Sequence, residues 1–78
     1  MCLAIPAKII TVCADGMASV DILGASRTVA LDLVPQAGLG DFVLVHAGYA
    51  IEVISESAAR ETLDLIAEFP ELLGQAPD

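Results

Sequence analysis

The sequence has 78 residues, 56% of them hydrophobic, and sets eleven acidic side chains against three basic ones (Lys8, Arg27 and Arg60), for a net charge of −8. A chain this short makes one small domain and buries about 60–65% of the surface its unfolded form exposes. With so few cations, and none clustered, it lacks the means to neutralise phosphate, which argues against nucleic acid and against an anionic membrane surface.

In chain order, residues 7–14 are apolar and rich in β-branched side chains, as a first strand requires. Asp15-Gly16 follows, a pair suited to a tight turn. Residues 17–23 alternate, with Ala18, Val20 and Ile22 on one face and Ser19 and Asp21 on the other. Gly24-Ala25 marks the next turn, and residues 27–33 alternate again, with Val29, Leu31 and Leu33 opposite Thr28 and Asp32. A connection holding Pro35, Gly38 and Gly40 leads to residues 42–47 and 49–54, two strand-like runs separated by Gly48. One glycine between two strands suggests a bulge or sharp bend by which a small sheet curls towards closure.

The period then changes. Ser55 or Ser57 can cap a helix whose apolar residues, Ala59, Leu63, Leu65, Ile66 and Phe69, recur at helical spacing, and Pro70 should end it near Phe69. The expected fold is mainly β, a small five-stranded OB-like barrel with a C-terminal α-helix. Residues 1–54 form the barrel with a functional N-terminal segment, 55–69 the helix and 70–78 a loose tail, all within a single domain. OB barrels often bind single strands on a basic, aromatic groove. Two Phe, one Tyr and no Trp make that use a poor match here.

No apolar run reaches the ~20 residues of a membrane-spanning helix, and the N-terminus lacks the basic and long apolar regions of a secretory signal. Two cysteines, Cys2 and Cys13, do not make a disulfide framework. A cytoplasmic location with reduced thiols follows as the expectation.

Few residues can carry chemistry. There is no CxxC or HExxH motif and no Gly-rich phosphate loop. The scattered carboxylates read as solvated faces. Cys2 directly follows the initiator methionine and becomes N-terminal once that residue is removed; an adjacent ammonium would then favour the thiolate, the form that attacks and ligates. Its structural alternative is an incidental terminal cysteine. Leu3, Ala4, Ile5 and Pro6 make an apolar, extended stretch that can dock a partner or simply form an edge strand. His46 sits at the end of the fourth strand, where it can be a ligand, a proton carrier or a structural residue. Cys13 reads as a small buried hydrophobe. One thiolate and one imidazole fall short of the four ligands of a structural zinc site, but they can form half of a transient site completed by a partner or by exogenous ligands.

Met1-Cys2-Leu3-Ala4-Ile5-Pro6-Ala7-Lys8-Ile9 closely resembles the opening signature of the HypC/HupF/HybG family, the small chaperones of [NiFe]-hydrogenase maturation. Gly40-Asp41-Phe42-Val43-Leu44-Val45-His46-Ala47-Gly48-Tyr49-Ala50 resembles a second block of that family. The resemblance implies an OB-like barrel with a closing helix and a non-enzymatic role. It implies one complex with the iron–sulfur scaffold protein HypD, on which an Fe(CN)2CO moiety is assembled, and another with the hydrogenase large-subunit precursor that receives it. By residue, it implies Cys2 and His46 as iron ligands, Cys2 also as a contact to both partners, and a docking face that includes Leu3, Ile5 and Pro6. The alternatives are an adaptor that bridges the two partners without holding iron, and a thiol enzyme with Cys2 as nucleophile and His46 as base.

Overall fold

A computed structural model describes residues 4–68. Five strands, β1 (Ile5–Val12), β2 (Met17–Ile22), β3 (Ala25–Ala30), β4 (Phe42–His46) and β5 (Tyr49–Ile54), close into a barrel in the order β1-β2-β3-β5-β4, and a helix, α1 (Glu56–Glu68), follows. This is the mainly β, OB-like barrel with one C-terminal helix that the strand pattern predicts. The helix end at Pro70 and the tail 70–78 lie outside the described residues.

Alternation along each strand decides what is inside. Ala7, Ile9, Ala18, Val20, Val29, Val43 and Ala50 are all at most 1% exposed and fill the barrel. Residues of the other parity look outwards, and most meet solvent. The exceptions are Pro6 on β1 and Phe42 on β4, which are buried on the two strands that α1 lies against. The helix contributes Ala59 and Ile66 to that contact. The molecule therefore has a main core inside the barrel and a smaller apolar layer between barrel and helix.

Two hairpins are tighter than the sequence suggests. Leu23 and Gly24 (φ +50° and +91°) join β2 to β3, so the turn falls one residue earlier than the expected Gly24-Ala25. Ala47 and Gly48 (φ +53° and +86°) join β4 to β5. Positive φ at both central residues is the signature of a type I′ turn, whose twist matches that of the flanking strands. Gly48 is thus half of a complete two-residue hairpin. The bulge lies further on, at Ile51, between the pairs Val45↔Ala50 and Leu44↔Glu52.

The connection from 31 to 41 packs more than its turn residues suggest. Leu31, Val34 and Ala37 are 4–7% exposed and join the core at three-residue spacing. Each turn of the segment closes an i to i+3 bond, Val34 N–H to the Leu31 carbonyl and Ala37 N–H to the Val34 carbonyl, both at 3.0 Å. Strand β3 stops at Ala30, so Leu33 falls on a turn and is 62% exposed, not part of an apolar strand face. The segment then rejoins β1: Ile9 N–H donates to the Asp41 carbonyl and Gly40 N–H to the Ile9 carbonyl, each at 2.9 Å.

Candidate functional site

The rim of the barrel around His46 is built by three neighbouring elements. On β4, Val43 faces the core and Val45 packs against it, so Phe42, Leu44 and His46 share the outer surface. On β5, Tyr49 pairs directly with His46 across the type I′ turn, and side chains of such a pair stand on the same face about 5 Å apart at Cβ. On β1, Ile5 pairs with Val45 and Pro6 with Leu44, so the N-terminal segment joins the barrel beside His46. Tyr49 is 47% exposed and forms an open flank of the rim.

The imidazole is half-buried. Nδ1 is covered and has no hydrogen-bond partner.

Asp41, in the second signature block, has a structural task. Its Oδ2 accepts the Gly38 N–H at 2.9 Å, and Asp41 N–H donates to the Gly38 carbonyl at 3.0 Å, which ties off the loop just before β4. Cys13 is exposed just past the end of β1: the register of β1 against β2 shifts between Ile9 and Thr11, so Val12, not Cys13, pairs with the inward Ala18, and the reading of Cys13 as a buried hydrophobe is corrected accordingly.

Of the residues singled out from the sequence, Ile5 (8% exposed) and Pro6 (below 2%) are packed against the protein itself rather than offered to solvent. Both hold the start of β1 in place. Cys2 and Leu3 lie outside the described residues. Among the described residues, no three His, Cys, Asp or Glu side chains converge as a metal cluster. No helix among them is long and apolar enough to cross a membrane. Sequence reasoning missed Tyr49 as the cross-strand neighbour of His46. The missed signal was Ala47-Gly48, which reads as a two-residue hairpin once Ala is allowed a left-handed conformation.

These features define a small acidic barrel with one C-terminal helix and with one imidazole on its rim beside the start of β1. Residues 1–66 match the model of the HupF/HypC family. The chain is 47% identical over 68 residues to the hydrogenase maturation factor HypC of Cupriavidus necator, covering 87% of this chain and 76% of that protein. It is 48% identical over 66 residues to the factor of the same name from Helicobacter hepaticus, covering 83% and 77%. Against that of Escherichia coli the figures are 44% over 73 residues, 85% and 79%. The chain belongs to the HupF/HypC family, whose role is that of a chaperone-type factor in hydrogenase maturation.

Proposed function

We propose that this chain carries an iron fragment bearing cyanide and carbonyl, the Fe(CN)2CO moiety, between a HypD scaffold and the large-subunit precursor of a [NiFe]-hydrogenase. The fragment is cargo, held by Cys2 and His46 and then given up. The observation that carries this reading is the position of His46, half-buried at the end of β4, next to the start of β1 and opposite Tyr49. Cys2 precedes Ile5 by three residues, a covalent tether of at most about 11 Å between their Cα atoms. That is short enough for the thiol to reach the rim.

The donor set suits such a cargo. Low-spin iron(II) with strong-field diatomic ligands takes a soft thiolate well and an imidazole adequately. Two protein donors on a fragment that brings its own ligands leave coordination positions for a partner, so cargo can pass without first being free. Ile5 and Pro6 anchor the segment, while Cys2 and Leu3 form its docking end. Protein-assisted transfer of this kind makes and breaks metal–ligand bonds and needs no turnover chemistry on the chain, in keeping with a chaperone rather than an enzyme.

A second reading asks less of the donors on this chain. In it the chain is an adaptor that brings scaffold and precursor together while the scaffold keeps the iron. Complementation separates the two readings from a general structural role. In cells lacking the chain, a Cys2→Ala variant should accumulate normally yet leave the large subunit without iron. Normal maturation by that variant would remove Cys2 from the account.

A further inference from the structure

The turn between β1 and β2 has a reactivity of its own. Its residues Ala14-Asp15-Gly16 are closed by a hydrogen bond from the Cys13 N–H to the Met17 carbonyl at 2.8 Å. Gly16 takes φ +80°, the left-handed residue that ends a three-residue hairpin loop. Asp15 is exposed, and its side chain has no hydrogen bond or ion pair among the described residues. The space beside Gly16 is open, since a Cβ built there meets only Asp32 Oδ1, at 3.7 Å. Backbone attack on an aspartate carboxyl is least hindered when the next residue is glycine, which brings no side chain. Asp15 is the one aspartate of the sequence with that neighbour; Asp21, Asp32, Asp41 and Asp64 precede Ile22, Leu33, Phe42 and Leu65.

We propose that Asp15 isomerises spontaneously to isoaspartate in the folded chain, and that the product loosens the rim that carries His46. The Gly16 nitrogen attacks the γ-carbon of the protonated Asp15 carboxyl. A C–N bond forms, and the carboxyl OH leaves with the amide hydrogen as water. Water then opens the resulting five-membered imide. Cleavage at the α-carbonyl leaves Gly16 joined through Cγ, with the α-carboxylate as a side branch. One water leaves and one returns, nothing is oxidised or reduced, and the charge is unchanged. That freed carboxylate is the group esterified by carboxyl methyltransferases that act on isoaspartate, so the exposed turn becomes a substrate for that class of repair enzyme.

The backbone is now one methylene longer in a turn that anchors other elements. The Gly16 carbonyl accepts the Leu31 N–H at 2.8 Å, and the Gly48 carbonyl accepts the adjacent Ala30 N–H at 2.9 Å. The β1–β2 turn and the hairpin after His46 are therefore held by consecutive amides. Moving the Gly16 carbonyl releases Leu31 and, with it, the end of β3 that holds this hairpin.

The test ages the full folded chain at neutral pH and physiological temperature, beside the same chain unfolded in guanidinium chloride. Isoaspartate is mapped by electron-transfer fragmentation of the peptides. It should accumulate at residue 15 in both samples and at none of the other four internal aspartates of the folded chain. Asp15→Glu keeps the charge but requires a larger ring, and should lose the signal. In hydrogen exchange, the purified isoaspartyl form should lose protection at Ala30 and Leu31 relative to the unaged chain. A folded chain without isoaspartate at residue 15 overturns the proposed reaction. Isoaspartate at residue 15 with Ala30 and Leu31 still fully protected overturns its link to the rim.

Discussion

Ala30 donates its amide hydrogen to the Gly48 carbonyl at 2.9 Å, and beside this bond Ala30↔Tyr49 is the one paired position between β3 and β5. The closure of the barrel and the placement of the hairpin below His46 therefore depend on the same turn. Nothing lies within 4 Å of a Cβ built at Gly48, so a side chain there meets no clash, but its φ of +86° is left-handed. Gly48→Ala should cost about 1–2 kcal/mol, the penalty of an L-residue in that region. Thermal melts should fall by roughly 4–8 °C for each kcal/mol. Ala47→Gly, which relieves the neighbouring left-handed alanine, should leave the melt within a few degrees of the parent.

His46→Leu separates cargo from fold. Nδ1 is buried without a partner, and exchanging an unsatisfied polar group for an apolar one of similar size is close to neutral or stabilising. Chemical denaturation should show stability no lower than that of the parent chain, while iron in the chain isolated with its partners falls. A loss of several kcal/mol would show that the ring has a structural partner.

The helix should respond unequally at its two polar contacts. Ser55 Oγ accepts the Ala58 N–H at 3.2 Å, an N-cap, and Ser55→Ala should cost about 1 kcal/mol. The Glu56–Arg60 pair closes at 2.6 Å but its side chains are 59% and 65% exposed, so Arg60→Ala should cost no more than about 0.5 kcal/mol and less in salt. Denaturation midpoints of the two variants, compared at low and high ionic strength, check both statements.

Burial ranks the apolar substitutions. Ile9 is fully buried in the barrel, and Ile9→Ala should destabilise by about 2–5 kcal/mol through lost transfer energy and a cavity. Leu39 is 73% exposed on the 31–41 connection, and Leu39→Ala should stay within about 0.5 kcal/mol of the parent. Urea titration of the pair measures the contrast directly.

The alternation of Ala18, Val20 and Val29 was enough to identify inward faces, because a strand with one wet side must repeat every two residues. The change to helical spacing after Ser55 was equally plain. Three features were not legible. Strand alternation places Leu31 on the apolar face of Val29, but Val34 and Ala37 follow it at three-residue spacing in a segment marked by proline and glycine, so neither strand nor helix periodicity reveals these two. The Ala47-Gly48 turn hides behind alanine, which seldom adopts positive φ. The exposure of Cys13 follows from a register shift in β1 between Ile9 and Thr11, which periodicity does not reveal. At the site, His46 and its strand-end position could be read from the sequence. The burial of its Nδ1 required the packed structure, since covering one edge of a ring is a tertiary event.

The central claim, that the chain holds an iron fragment through Cys2, is tested most directly by infrared spectroscopy of the tagged chain isolated without oxygen together with the partners it retains. The account predicts bands in the cyanide and carbonyl stretching region that disappear in Cys2→Ala, although the variant is folded and still copurifies with a scaffold partner. Bands that persist unchanged in Cys2→Ala would contradict it and place the iron on the partner.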